Sequence, residues 1–349
     1  MNVTPNTIDS DLAGRICVWL SVRAGVVEDV DIESTRPKGV AKVFVGHAPD
    51  EVVSLLGRVF SLCATAQSVA GLEAVEAARG LSVSAQQHVA RHMLREAEML
   101  SQTVLRVSMD WTRLLSLPPV PAVARTVLSA EAGLKADLFS GRDWKVPGGI
   151  PVTPDIAAAR ARLNDLQDVL GTALHENGLA QNLLSALDAH DLNGFGALAK
   201  GARPETGALS RQWQDSGVVT ARKVYGAGLR ARLMARFADM RDLSRFLAEA
   251  VNTLTPCAVP QQASRQDGDG TATVETARGA LTHRVVVKDG KIAAYDIDAP
   301  TDVNFLNGSV VARGLIGAAR DRRALDVAAQ LHVLAVDPCV ECTVEIKDA

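Results

Sequence analysis

The sequence predicts an α+β fold that is predominantly helical, and three observations carry that prediction. Two β-branched runs form a hairpin near the N-terminus, apolar residues then recur at helical spacing through the middle, and a second hairpin signal lies near the C-terminus. Hydrophobic residues make up 47% of the 349 and charged ones 22%, the balance of a globular chain long enough to bury a large core.

Arg15–Val22 and Val26–Ile32 are the two runs of the first hairpin, split by Arg23-Ala24-Gly25. Pro49 suits a first helical turn, and Val52, Val53, Leu56, Val59 and Phe60 follow at helical spacing. Further helices are expected over Ala64–Ala78, ending near Gly80, and over Ser84–Leu115, stopping before Pro118-Pro119. A loop is expected around Trp144–Pro151. Thr153-Pro154-Asp155 then reads as a helix start with Thr153 as the cap, Ile156, Ala159, Leu163, Leu166 and Leu170 as the apolar face, and Gly178 as the stop. Val219–Leu254 reads as one long helical region. Pro256–Gly270 is polar and rich in turn formers, so a surface linker is expected there. Leu281–Val287 and Ile292–Ile297 flank Lys288-Asp289-Gly290-Lys291, the second hairpin. The units are therefore a β-rich one over 1–48, a helical core over 49–255 and a mixed unit over 256–349, packed as one integrated domain.

A net charge of −3 lacks the basic surplus that nucleic-acid binding requires. No apolar run is long enough to cross a bilayer, and the start MNVTPNTIDSD has neither the basic nor the apolar region of a secretory signal. A cytoplasmic protein is expected, without membrane contact. Its five cysteines, Cys17, Cys63, Cys257, Cys339 and Cys342, are there expected as thiols or metal ligands rather than a disulfide framework.

The segment Asp337-Pro338-Cys339-Val340-Glu341-Cys342 carries the most chemistry, because a C-x-x-C pair lets two thiolates converge on one centre. A structural zinc site needs two more ligands, and none stands at zinc-finger spacing. His88 and His92 are four apart on an expected helix, but no acid follows His88 as a metalloprotease motif demands, so a solvated helix face is the better reading. No strand-to-helix context supports a thioredoxin-type role.

These residues bear a family resemblance. D-P-C-x-x-C resembles the terminal motif of nickel–iron hydrogenase large subunits, whose N-terminal partner motif is R-x-C-G-x-C followed by a histidine. In the matching stretch Arg58 and Cys63 are kept, whereas Phe60 stands for the first cysteine and Gln67 for the histidine. Gly14-Arg15-Ile16 resembles the family's R-I-E-G-H, with Cys17 in place of the glutamate, and Val146-Pro147-Gly148-Gly149 resembles a family loop. Glu275 to His283 resembles E-A-P-R-G-x-L-x-H, and Pro300-Thr301-Asp302-Val303-Asn304 resembles P-T/S-T-W-N. The ordered set spans nearly the whole chain. Its pattern of losses looks most like the HupK/HoxV family of hydrogenase assembly proteins.

The resemblance implies a nickel–iron hydrogenase large-subunit-like fold: an N-terminal β-hairpin unit, a central helical bundle and a mixed C-terminal unit. In that family four thiolates bind nickel and two of them bridge to an iron that carries two cyanides and one carbon monoxide. The bridging positions correspond to Cys63 and Cys342. Phe60 occupies a nickel-only position, so iron with its two cyanides and one carbon monoxide is the implied cargo, without nickel. Arg278 and Thr301, after Pro300, match positions facing the cyanides, and Leu281 matches an apolar neighbour of the carbonyl. Cys339 persists without a bridging role and could hold a transient iron ligand. Cys17 replaces a glutamate that the family links to proton transfer, Gln67 and Glu345 replace two family histidines, and only seven residues follow Cys342, where hydrogenase precursors carry a longer extension. The implied role is a non-enzymatic assembly scaffold. Its implied partners are HypC/HypD-type maturation proteins and an apo hydrogenase large subunit. A divergent hydrogenase-like redox metalloenzyme and a metal-free pseudo-subunit that binds partners remain the alternatives.

Overall fold

The structure is a computed structural model that describes residues 14–37, 39–198, 205–261 and 263–348. The polar N-terminal stretch and Gln262 of the expected linker lie outside them. Strands β1 (Arg15–Arg23) and β2 (Val26–Ser34) form the first hairpin and turn at Ala24 and Gly25, both at positive φ. Strand β6 (Glu341–Asp348), which the sequence reading did not assign, lies parallel to β1, so this sheet runs β2-β1-β6.

Helix α1 (Pro49–Val59) begins at Pro49 as expected, and α2 (Ala64–Arg79) ends on Gly80 at φ 64. Ser84 caps α3 (Ala85–Leu105), its hydroxyl accepting the Gln87 N–H at 3.1 Å. The predicted continuation to Leu115 is there, but residues Arg106–Trp111 form a π-helical turn that the apolar pattern does not reveal. Helix α4 (Pro121–Phe139) fills a region that the sequence reading left unassigned.

Three expected boundaries move. The cap of α5 (Ile156–Leu174) is Asp155, whose carboxylate accepts the Ala158 N–H at 3.0 Å, while the Thr153 hydroxyl turns to Ser140. Gly178 does not stop that helix; it precedes α6 (Leu179–Ala189). The long region from Val219 is two helices, α7 (Ser216–Tyr225) and α8 (Leu229–Ala250). Gly226 sits at φ 73 and breaks the path, and at Gly228 a Cβ would lie 2.7 Å from the Asn193 carbonyl oxygen.

The second sheet is an antiparallel meander of β3 (Gly268–Thr276), β4 (Gly279–Lys288) and β5 (Lys291–Asp298), with the predicted turn at Asp289-Gly290. The expected linker runs only to the start of β3. Its glycines have a packing reason: Cβ atoms at Gly268 and Gly270 would lie 2.1 Å from the carbonyl oxygens of Ala78 and Ala74, so the strand rests directly on α2. Helices α9 (Pro300–Asn304), α10 (Val310–Leu315) and α11 (Arg322–Val336) lead back to β6.

The main core joins helices α1–α6 and α8 to the second sheet. A separate core lies between the first sheet and α10–α11, with Ile16, Val18, Leu20, Leu315 and Leu325 fully buried. The C-x-x-C segment is the link from α11 to β6. Among the described residues no single helix is long and apolar enough to cross a membrane.

Candidate metal centre

Cys63 stands at a corner. Helix α1 ends at Val59, a single 3₁₀ turn follows at Ser61–Cys63, and α2 leaves at 94° to α1 with Cys63 as its cap residue. A cysteine caps poorly, and the carboxylate of Glu98 on α3 takes over, accepting the N–H groups of Thr65 at 2.6 Å and Ala66 at 2.9 Å. Burial pushes the Cys63 thiol up to about 11; Arg278 and a hydrogen bond from Gln67 oppose that rise, and Glu98 and Cys339 add to it. Cys339 and Arg278 are thus electrostatic neighbours of Cys63.

The loop carrying Cys339 is held from three sides. Helix α11 stops at Val336 because Asp337 takes φ 65. The Asp337 carboxylate accepts from Arg106 Nε at 2.9 Å, with Arg236 at 3.5 Å and Arg278 at 3.6 Å. Burial pushes this carboxyl up, yet Arg278, Arg106 and Arg236 together hold it below the usual carboxylate range. Arg278 also donates to the Pro338 carbonyl at 3.3 Å and to Gln102 Oε1 at 2.7 Å, and the Gln102 amide in turn donates to the Leu62 carbonyl beside Cys63. One guanidinium therefore ties the two cysteine-bearing segments together.

Thr301 Oγ1 accepts the Cys339 N–H at 3.2 Å, which leaves its own hydroxyl hydrogen as a donor. Pro300 opens α9 and is buried beside it. Leu281 is buried on β4, opposite Val274, within the main core. Phe60 caps the end of α1 and packs against the same core. So Cys63, Cys339, Arg278 and Thr301 come together. Cys342 has other neighbours: it pairs with Ile16 across the parallel strands and packs with Val344 and Ile346 against the second core. Its electrostatic neighbour is Cys17, and burial with that neighbour pushes its thiol up to about 12. Cys257 bridges its backbone to Val152. Among the described residues no group of three or more His, Cys, Asp or Glu side chains is arranged to hold a metal ion. The donor set on hand is soft sulfur beside fixed positive charge, a combination that favours soft or borderline transition metals over hard cations.

Sequence reasoning missed Glu98, Gln102, Arg106 and Arg236. For Arg236 a signal existed: an arginine between Ala235 and Phe237 on a helix otherwise dominated by buried positions, where an unpaired charge is not tolerated. Arg106 gave none, since its partner Asp337 lies 231 positions further along the chain.

A sequence profile described as nickel-dependent hydrogenase matches residues 214–345. The chain is 30% identical to the hydrogenase expression/formation protein HupK of Azotobacter vinelandii, over 97% of this chain and 100% of that protein. Identity to HupK of Rhizobium leguminosarum is 29%, over 97% and 98% of the two chains. The hydrogenase expression/formation protein HoxV of Cupriavidus necator is 26% identical, over 97% of each. Among solved structures, the Ni-Fe-Se hydrogenase of D. vulgaris Hildenborough superposes with a TM-score of 0.72 at 18% identity, covering 92% of this chain and 95% of that one. The enzyme from Desulfomicrobium baculatum gives 0.73 with the same identity and coverage. The hydrogenase large-subunit-like fold expected from the motifs is therefore the fold observed, and the chain belongs to the HupK/HoxV family of hydrogenase expression/formation proteins.

Proposed function

We propose that this protein is a non-enzymatic scaffold in hydrogenase maturation that holds or helps complete an iron unit with two cyanides and one carbon monoxide, then passes it to an apo hydrogenase large subunit. The observation that carries this reading is the convergence of Cys63 and Cys339 on the buried Arg278 guanidinium. Ferrous iron with two cyanides and two thiolates is doubly negative, and burying such a unit requires cationic and hydrogen-bonding partners. Arg278, Arg106 and Arg236 supply positive charge around the shared carboxylate of Asp337, with Asp110 also pairing with Arg106 and Asp239 also acting on Arg236. The Thr301 hydroxyl offers one further donor.

Cys63 supplies the first thiolate. The C-x-x-C supplies the second, from Cys342 by the family correspondence, with Cys339 as the sulfur already beside Cys63. Both raised thiols must shed their protons on loading, so uptake releases protons and is favoured by rising pH. The partners in this reading are HypC/HypD-type proteins upstream and the apo large subunit downstream, in the cytoplasm.

Infrared spectroscopy tests it directly. Protein purified anaerobically with the maturation machinery is expected to show cyanide and carbonyl stretching bands and to contain iron without stoichiometric nickel or zinc. Absent bands under conditions that load a known carrier would sink the proposal. Cys63→Ser and Cys342→Ser are each expected to abolish bound iron, and Cys257→Ser to retain it. Loss with Cys339→Ser but retention with Cys342→Ser would instead assign the second sulfur to Cys339.

A further inference from the structure

Behind Cys63 lies a line of buried polar side chains that the proposed function does not use. Gln67, one helical turn along α2, directs Nε2 at the Cys63 sulfur, 3.6 Å away. Its Oε1 is 2.9 Å from His283 Nε2, on β4, and His283 Nδ1 is 2.9 Å from the Tyr295 hydroxyl, on β5. His283 has no exposed surface, and Tyr295 and Gln67 are 2% and 5% exposed. Gly71 makes the approach possible, because a Cβ there would lie 2.8 Å from that hydroxyl.

The chemistry of each group fixes the direction of the line. With the Gln67 N–H groups facing sulfur, its carbonyl oxygen faces His283 and can only accept, so His283 Nε2 carries the hydrogen. A neutral imidazole then has a lone pair at Nδ1, and the Tyr295 hydroxyl donates to it. Burial favours that neutral ring, lowering the His283 pKa to about 3. The reverse arrangement would turn the Gln67 oxygen toward sulfur. A deprotonated or metal-bound sulfur has no hydrogen to offer it, which excludes that arrangement there; in the metal-free thiol form the direction rests on the placement itself, with Nε2 toward sulfur and Oε1 toward His283.

We propose that Tyr295, His283 and Gln67 form a one-way hydrogen-bond relay that holds an N–H donor against the Cys63 sulfur, and that the three are positioning residues for that sulfur. Each bond polarises the next, so the last N–H is a stronger donor than an isolated amide. Partners of this kind orient a ligand atom and temper its electron donation. The consequence for bound iron rests on Cys63 being a thiolate ligand; the relay itself does not, and the test separates the two.

In the metal-free protein, nitrogen-15 spectra of labelled histidine report the tautomer of His283, and the expected form has Nε2 protonated. The Gln67 side-chain amide proton is expected to move upfield in Cys63→Ala and, by a smaller amount in the same direction, in Tyr295→Phe. Tyr295→Phe keeps the ring that meets Phe44 edge-on at 5.2 Å, so the fold is preserved. An Nδ1-protonated His283, or a Gln67 amide that neither substitution moves, overturns the relay. In iron-loaded protein, Gln67→Leu is expected to lower the carbonyl stretching frequency, because sulfur then donates more charge to iron. A relay seen by nuclear magnetic resonance in a chain that never loads iron would count against the proposed function and leave the relay standing.

Discussion

Asp337 is the residue on which the cysteine loop turns. It is 1% exposed, sits at positive φ and faces three guanidinium groups. Removing one partner from a buried ion pair leaves the other charge uncompensated, which costs roughly 3–5 kcal/mol. Asp337→Ala is therefore expected to destabilise the protein by about that amount in urea unfolding. The double variant Asp337→Ala with Arg236→Met should recover part of it, because Arg236 is the deepest of the three cations. No recovery would mean that the cost lies in the loop backbone and not in the stranded charge. At this scale the sequence showed Asp337 as one letter of a motif. Its partners come from positions 106, 236 and 278, a spacing that no local pattern connects.

Elements tell a similar story through close approach. Strand β3 looks like linker because Asp267-Gly268-Asp269-Gly270 has the composition of a turn. It is a strand because Gly270 lets its backbone reach the Ala74 carbonyl of α2. A backbone oxygen cannot swing aside as a flexible side chain can. Gly270→Ala is expected to cost about 1–3 kcal/mol by overpacking, read as a lower urea midpoint at an unchanged slope. Thr271→Ala, at the exposed neighbouring position, should leave the midpoint nearly in place. The hairpins and α1–α3 were legible because their signals are local: alternation, a two-residue turn, a proline start and a glycine stop. The break at Gly226–Gly228 and the π-helical turn were not, since each answers to a contact made elsewhere in the chain.

For the molecule as a whole, two buried histidines set a dependence on pH. His283 packs between Gln67 and Tyr295, and His332 lies beside Arg232, which is paired with Glu205. Burial lowers both to about 3, with Arg232 adding to the effect at His332. Once unfolded, each imidazole takes up a proton below about pH 6.5, whereas the folded protein resists until about 3. The unfolded state thus binds more protons in that window, and stability falls as pH falls, by up to about 1.4 kcal/mol per pH unit for each histidine. Glu76 and Glu98, whose carboxyls burial pushes up, act in the opposite sense as they protonate. Comparison of wild type with His332→Gln isolates one contribution: the variant's stability should fall less steeply between about pH 6.5 and 5. Equal slopes in the two proteins would show that His332 is not held neutral.

The C-x-x-C motif near the C-terminus and the ordered motifs around it were readable from residues alone. They established the fold class, the family and the set of candidate site residues, because turn chemistry, periodicity and motif spacing are written along the chain. Only the tertiary structure decided which sulfur stands beside Cys63, what Arg278 holds, and what lies behind Gln67. Those contacts join residues tens to hundreds of positions apart, and their energy comes from burial and charge pairing that exist only once the helices and both sheets have packed.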